Sequence, residues 1–269
     1  MLQKDDLPYI HRLQIIQLFE ADFNGAMKII YSRQLLWHIT ERGLNNQQTY
    51  RGQKGKTVAD LIIDNQLTYE NSAIMRLPIC CVFNNATGCY DRIINRLNII
   101  VFRRLGMPES AAICLATALS KMCHKIRTKH GESINSIIST AVQEIYGVGQ
   151  GNSAAVVSWE AHVEVMIVAL EELCKGSSMS DPEATTILIQ HLINYVDDTS
   201  LKQSYDPQSS IDQRLKDVIH LIKTWHMILN TTGGDLALKK CHVYFIHWNF
   251  KSNNPLPKYM LPSPKKQAI

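Results

Sequence analysis

Residues 187–201 read Ile187-Leu-Ile-Gln-His-Leu-Ile-Asn-Tyr195-Val-Asp197-Asp198-Thr-Ser-Leu201. The first half is apolar and β-branched, which predicts a buried strand. It runs into two adjacent carboxylates, and apolar character resumes at Leu201. Two carboxylates at a strand end repel one another, and both lose water. A hard divalent cation removes both costs, because carboxylate oxygens suit Mg2+ or Mn2+. An aspartate pair also serves as an ordinary surface turn, so its meaning depends on the surrounding chain.

Working upstream, Leu77-Pro-Ile-Cys-Cys-Val-Phe83 is a second continuous apolar run, the pattern of another buried strand. It leads into Asn85-Ala-Thr-Gly-Cys-Tyr90-Asp91. The spacing predicts helices over Phe23–Thr40, Thr57–Tyr69 and Ser153–Leu173. It predicts a further one from Pro108, carrying Ala112, Leu115, Leu119, Met122 and Ile126. Between the last two lies Gly147-Val-Gly-Gln150-Gly151. Those glycines do not make a dinucleotide-binding turn, since the third is misplaced and no ribose-binding acid follows at the required distance.

Downstream, Ser210 and Gln213 predict a capping box for a helix bearing Ile211, Leu215, Val218, Ile222, Trp225 and Leu229. Gly233-Gly234 ends it, and Cys241–Phe250 is strand-like. Four of the nine prolines fall in the last 15 residues, which predicts an extended tail. Helices and strands interleave without regular βαβ repeats, so the fold class is α+β or an irregular α/β fold around a small sheet.

Composition narrows the function classes. The chain has 269 residues, of which 45% are apolar and 19% charged, enough for a substantial core. Its 28 basic and 24 acidic residues leave +4, too mild for bulk electrostatics to announce nucleic acid. The richest apolar stretch, Val163–Leu173, is broken by Glu164, Glu171 and Glu172, so no membrane partner is expected. The N-terminal residues lack a signal peptide's apolar core, which predicts an intracellular protein, nuclear or cytoplasmic. Seven cysteines are scattered without a C-x-x-C pair, arguing against a zinc ribbon or a disulfide framework. A glycine-spaced basic loop carries Arg51, Lys54 and Lys56; a solvated connection is its plain reading.

In this context Tyr195-Val-Asp-Asp198 resembles the catalytic hairpin of reverse transcriptases, and other segments fall in that family's order. Asn85 through Tyr90 and Asp91 is similar to the first palm motif, an Asp, four residues, an aromatic and a second Asp. Gly147-Val-Gly-Gln150-Gly151 resembles the Gly-x-x-Gln-Gly motif that opens a long helix. Leu236-Ala-Leu-Lys-Lys240-Cys241 looks like the lysine-bearing segment after the hairpin. Arg12 through Asn24 and Arg33 is similar to the fingers segment. The motifs span roughly residues 12–250 and most resemble retrotransposon domains without long terminal repeats.

The resemblance implies a polymerase right hand: fingers and a palm with a small antiparallel sheet flanked by helices. Residues 1–75 would be fingers-like, 76–250 the palm-like core, and 251–269 a Pro/Lys-rich tail. It implies RNA-directed DNA synthesis on an RNA or DNA template with primer, from deoxynucleoside triphosphates. Two Mg2+ or Mn2+ ions about 4 Å apart would perform the transfer. Asp197 and Asp198 would be catalytic metal ligands. Tyr90, Gln150, Arg12 and Lys240 would contact the nucleotide, and Arg51, Lys54 and Lys56 the nucleic acid.

The chain departs from that pattern at Asn85, where the family has the first metal-binding aspartate. A neutral amide cannot neutralise two divalent ions as a carboxylate does, which predicts weak or absent catalysis. Asn152-Ser-Ala-Ala155 also lacks the expected Ser-Pro, and little sequence follows Phe250 to build a thumb. These departures imply a truncated or degenerate copy. The alternative function is a catalytically silent nucleic-acid-binding remnant. On either reading, Asn85 and Asp197 should converge on neighbouring strands.

Overall fold

The apolar run at 77–83 becomes the central strand of the sheet, whereas the run at 187–194 departs from the expected buried strand. Ile187, Leu188 and Ile189 are exposed in a separate two-stranded pair, and Leu192–Tyr195 stands at the end of the sheet order. The helices form where three- and four-residue spacing predicts them. The computed structural model describes residues 17–50, 53, 55–140, 144–181, 183 and 185–248, and the backbone of 2–3, 13–14, 249–251 and 254–260. The chain divides into two compact units interleaved along the sequence: Met1–Leu44 with Gly88–Val163, and Asn45–Thr87 with Glu164–Ile269.

In the first unit, two short strands, β1 (Leu2–Gln3) and β2 (Leu13–Gln14), pair antiparallel. A helical run then passes from α1 (Ala21–Met27) through π-helical turns at Lys28–Leu35 into α2 (Leu36–Glu41). The π turns have a sequence cause. Met27, Tyr31, Leu35 and Ile39 are all buried and stand four residues apart. Four is more than the 3.6 residues of an α turn, so an unbroken α-helix would rotate that line off the core. Wider turns hold it in place, and Tyr31 Oη donates to the Ala111 carbonyl at 2.7 Å.

Helices α4 (Asn95–Arg104) and α5 (Glu109–Ser120) follow. Ala112, Leu115 and Leu119 are buried as the spacing predicts, but the helix stops at Ser120. Met122 and Ile126 lie beyond it, where the chain turns into a two-stranded ribbon. Its strands are β4 (Cys123–His124), β5 (Arg127–Thr128), β6 (Gly131–Glu132) and β7 (Ile137–Ile138). β4 pairs with β7 and β5 with β6. Helix α6 (Ala155–Leu173) begins in this unit and ends in the other. It is apolar nearly all round, as a helix buried on most sides must be.

The second unit holds α3 (Val58–Ile74), whose N-terminus is closed by a reciprocal capping box between Thr57 and Asp60. It also holds the sheet. Strand β3 (Ile79–Asn85) lies at the centre of the order β10-β11-β3-β12-β13, all antiparallel. The others are β10 (Leu192–Tyr195), β11 (Asp198–Ser204), β12 (His242–Lys251) and β13 (Asn254–Met260). A separate pair joins β8 (Ser177–Ser180) to β9 (Ile187–Gln190).

Central position explains the β3 sequence: both edges are paired, and Ile79, Cys80, Cys81 and Val82 are all at most 1% exposed. On one face Ile79, Cys81 and Ile246 pack with Tyr69 and Trp248, and the Trp248 indole donates to Ser72 Oγ at 2.7 Å. The run at 187–194 proves to be two strands broken at His191. Helix α7 (Ile211–Thr231) buries Val218, Leu221, Trp225, Ile228 and Leu229, whereas Ile211 and Leu215 in its first turns stay exposed. All seven cysteines are free thiols. Among the described residues no helix is long and apolar enough to cross a membrane.

Candidate active site

The paired acids sit on a tight hairpin in the second unit. Strands β10 and β11 pair from Leu192↔Leu201 to Tyr195↔Asp198, leaving Val196 and Asp197 as a two-residue turn. Val196 adopts φ 62°, a conformation that costs a β-branched residue about 1–2 kcal/mol. Specific bonds hold it there. The buried Asn194 side chain donates to the Val196 carbonyl and to Thr199 Oγ1, both at 3.0 Å. From the neighbouring strand Ala86 N–H donates to the Asp197 carbonyl at 2.8 Å. The turn is therefore fixed from both sides, and the two carboxylates emerge beside the end of β3.

Asn85 meets them there. It is the cross-strand partner of Asp198. Its Nδ2 donates to Asp197 Oδ2 at 3.1 Å and to Asp198 Oδ1 at 2.7 Å. One amide nitrogen carries two hydrogens, and each carboxylate accepts one. A neutral side chain thus brings two like charges together, which an aspartate at this position could not do without a cation.

The donor set can be weighed against the cations the sequence suggests. Among the described residues no three His, Cys, Asp or Glu side chains cluster as a metal site. Two carboxylates and the Asn85 amide oxygen suit one hard cation once the amide turns its oxygen inward, the reverse of the face it presents here. For a pair of cations the set is one carboxylate short.

The lysine-bearing segment runs alongside. Ala237 N–H donates to the Asn85 carbonyl at 2.9 Å, and Thr87 N–H to the Asp235 carbonyl at 2.8 Å. Asp235 is itself held by His226 Nε2 at 3.0 Å. Lys240 is exposed three residues beyond Ala237, in a single 3-10 turn at Leu238–Lys240.

Tyr90 and Gln150 belong to the first unit. Val148 N–H donates to the Tyr90 carbonyl at 2.8 Å, and Gly147 N–H to the Ile93 carbonyl at 2.8 Å. A Cβ at Gly147 would lie 2.6 Å from the Asp91 carbonyl oxygen, so that glycine is required by backbone packed on backbone. Asn24 clamps the same turn, donating to the Gly151 carbonyl at 3.2 Å and accepting from Ser153 N–H at 2.7 Å.

Arg12, Arg51 and Lys54 lie outside the described residues. Lys56 is described, and its ammonium donates to the carbonyls of Gln47 and Thr49 and sits 4.7 Å from the Tyr50 ring centre. Asn194, which shapes the turn, belongs to none of the motifs legible in the sequence. Its only signal is an asparagine two residues before the left-handed position, a spacing suited to a side-chain bond onto the turn.

No family model matches the chain, and no curated protein does. Solved structures do. Telomerase from Candida tropicalis bound to the TWJ fragment of telomeric RNA superposes with TM-score 0.54 at 12% identity, over 83% of this chain and 35% of that one. Telomerase from Candida albicans with the same fragment gives 0.52 and 10%, over 82% and 35%. Apo telomerase from Candida tropicalis, truncated from its C-terminal domain, gives 0.52 and 9%, over 88% and 43%. The chain therefore spans between about a third and two fifths of the telomerase chains it matches, and it shares with them a mixed α+β, polymerase-like fold.

Proposed function

We propose that this chain is the fingers and palm of a reverse-transcriptase-like domain from a retroelement. It holds an RNA or DNA template with its primer, and its nucleotidyl transfer is weak or absent. The observation that carries this reading is the Asn85 amide bridging Asp197 and Asp198. The tight hairpin, the neighbouring central strand and the lysine-bearing segment are the parts such a centre uses, and the likeness to telomerase supports the same fold. Asp197 and Asp198 would hold one Mg2+ or Mn2+, whose charge would supply phosphate neutralisation. Tyr90, Gln150, Lys240 and Arg12 would contact the incoming deoxynucleoside triphosphate. Arg51, Lys54 and Lys56 would contact the template.

The reading is tested by anisotropy binding to a labelled RNA–DNA template–primer and by primer extension in Mg2+ and in Mn2+. The native chain is expected to bind, with at most trace extension. Asn85→Asp should raise extension at least about tenfold by restoring the third carboxylate. Efficient native extension that Asn85→Asp leaves unchanged would overturn the metal argument. Failure of the native chain to bind any template–primer would overturn the assignment.

A further inference from the structure

The ribbon of residues 123–138 has no role in the site above, yet together with the adjoining Lys121 it carries most of the chain's net charge. Residues 121–138 hold Lys121, Lys125, Arg127 and Lys129 against the single acid Glu132, so +3 of the chain's +4 lies in this segment. His124 and His130 stand among them. Every residue from Lys125 to Glu132 is exposed, and among the described residues the ribbon's strands pair only with one another.

The ribbon is well formed. Thr128 pairs with Gly131 across the two-residue tip Lys129-His130, and Arg127 pairs with Glu132. Below that, Ser133 N–H donates to the Ile126 carbonyl at 2.9 Å, and Ile126 N–H to Ser133 Oγ at 3.0 Å. At the base, Cys123 and His124 pair with Ile138 and Ile137. From base to tip the arm reaches about 20 Å at ~3.3 Å per residue. Glu132 is the cross-strand partner of Arg127 and also pairs with Lys125, so the two cations share a side of the ribbon, with Lys129 at its tip. Lys125 lies 4.0 Å from Glu132, both about half exposed, a loose pair that a phosphate can displace. Among the described residues Arg127 and Lys129 have no ion-pair partner.

We infer that this ribbon is a second nucleic-acid contact, gripping the phosphate backbone of a duplex through Lys125, Arg127 and Lys129. The inference rests on the proposed function, since it takes nucleic acid to be the chain's partner. Cations two residues apart on one strand are about 6.7 Å apart, twice the ~3.4 Å axial step of phosphates along one strand. The major groove of B-form DNA admits a two-stranded ribbon, whereas the deep, narrow groove of A-form duplexes leaves it on the backbone. A membrane surface would attract the same charge, but an inserting arm carries apolar residues at its tip. Here the tip is Lys129-His130, and the isoleucines lie nearer the base.

The test is the triple variant Lys125→Gln, Arg127→Gln, Lys129→Gln, compared with Lys216→Gln, Lys223→Gln on the exposed side of α7. Kd is measured over a salt series for a DNA duplex and an RNA–DNA duplex. Circular dichroism and the urea midpoint should match the native chain, because the three side chains are exposed. The ribbon variant should bind about tenfold or more weakly near 0.1 M salt. Its log Kd against log salt slope should fall by about 2–3. The α7 variant should change neither. If the native chain binds and the ribbon variant binds with the same Kd and slope, the ribbon inference is wrong while the proposed function stands. If the native chain binds no duplex, both fail. Loss of binding to phosphatidylserine vesicles with duplex binding intact would reassign the ribbon to membranes and overturn the inference.

Discussion

Lys202 has no solvent exposure although it carries an ammonium group. It lies on β11, cross-strand from Cys81, and its Nζ donates to Thr68 Oγ1 and Gln190 Oε1, each at 3.0 Å. The Tyr69 ring centre is 5.6 Å away. Burial holds its pKa down at about 8, with Cys81 and Asp64 pulling weakly the other way. An unfolded chain keeps the lysine proton up to about 10.4. Between pH 8 and that value it therefore binds more protons than the folded chain, and stability rises with pH through this window. Below pH 8 the whole penalty is present. Lys202→Met should be at least as stable as the native chain at pH 7, since Thr68 Oγ1 and Gln190 Oε1 remain bonded to each other at 2.8 Å. Its advantage should shrink by about 3 kcal/mol between pH 8 and 10.5, read from urea midpoints. A constant difference over that range would show that the ammonium is not penalised. Asn85 was legible in the sequence because its neighbours fix its position in a motif. Lys202 was not, because a lysine in a strand reads as outward-facing until the helix covering it is known.

At the next scale, residues 45–50 form a strap along β10. Gln48 Oε1 accepts from His191 N–H at 2.7 Å and Leu192 N–H at 2.9 Å, serving two backbone groups where the apolar run breaks. Asn194 N–H donates to the Gln48 carbonyl and Tyr50 N–H to the Asn194 carbonyl, making a short parallel bridge directly before the hairpin. Helix α6 holds the strap from its other side: Glu164 accepts from Asn46 N–H at 2.7 Å and Thr49 Oγ1 at 3.1 Å, and Glu171 from Gln48 Nε2 at 2.8 Å. In sequence, 187–194 looks like one strand, and nothing local in Asn45-Asn46-Gln47-Gln48 shows that it contacts that run. The bonds that divide the run come from about 140 residues earlier, too far for local pattern to reveal. Burial pushes the Glu164 carboxyl up to about 7, against the pull of its hydrogen bonds. The unfolded chain releases this proton from about pH 4.3 upward while the folded chain keeps it, so stability falls as pH rises to 7 and stays low above. Glu164→Gln keeps both contacts, its oxygen accepting from Asn46 and its amide donating to Thr49. It should match the native chain near pH 4.5 and exceed it by about 3 kcal/mol above pH 7 in urea titrations. Equal stability of the two proteins at both pH values would show that the carboxylate carries no burial cost.

Over the whole molecule, what the sequence reveals depends on how far apart the interacting residues lie. The central strand β3, the terminal strand β10 and the helices α3, α5, α6 and α7 announce themselves through local patterning. The interleaving of the units does not, because Asn45–Thr87 joins Glu164–Ile269 across a segment that belongs to the other unit. Charge is the same: +4 reads as a mild background until residues 121–138, the ribbon and the adjoining Lys121, show +3 gathered in one segment. The hydrogen-exchange pattern of the chain should follow this uneven construction. Amides of Cys80–Val82 are buried and paired on both edges of β3, so they open only with cooperative unfolding of the sheet. Those of Ile126–Asn135 sit in an exposed two-stranded ribbon whose described strands are not part of the main sheet. At neutral pH the β3 amides should exchange at least about a thousandfold more slowly than the ribbon amides. Adding a DNA duplex should slow exchange at the ribbon and leave β3 unchanged. Protection of the ribbon equal to that of β3 without any duplex would mean that the arm is packed against protein, and its lysines would then not be available to phosphates.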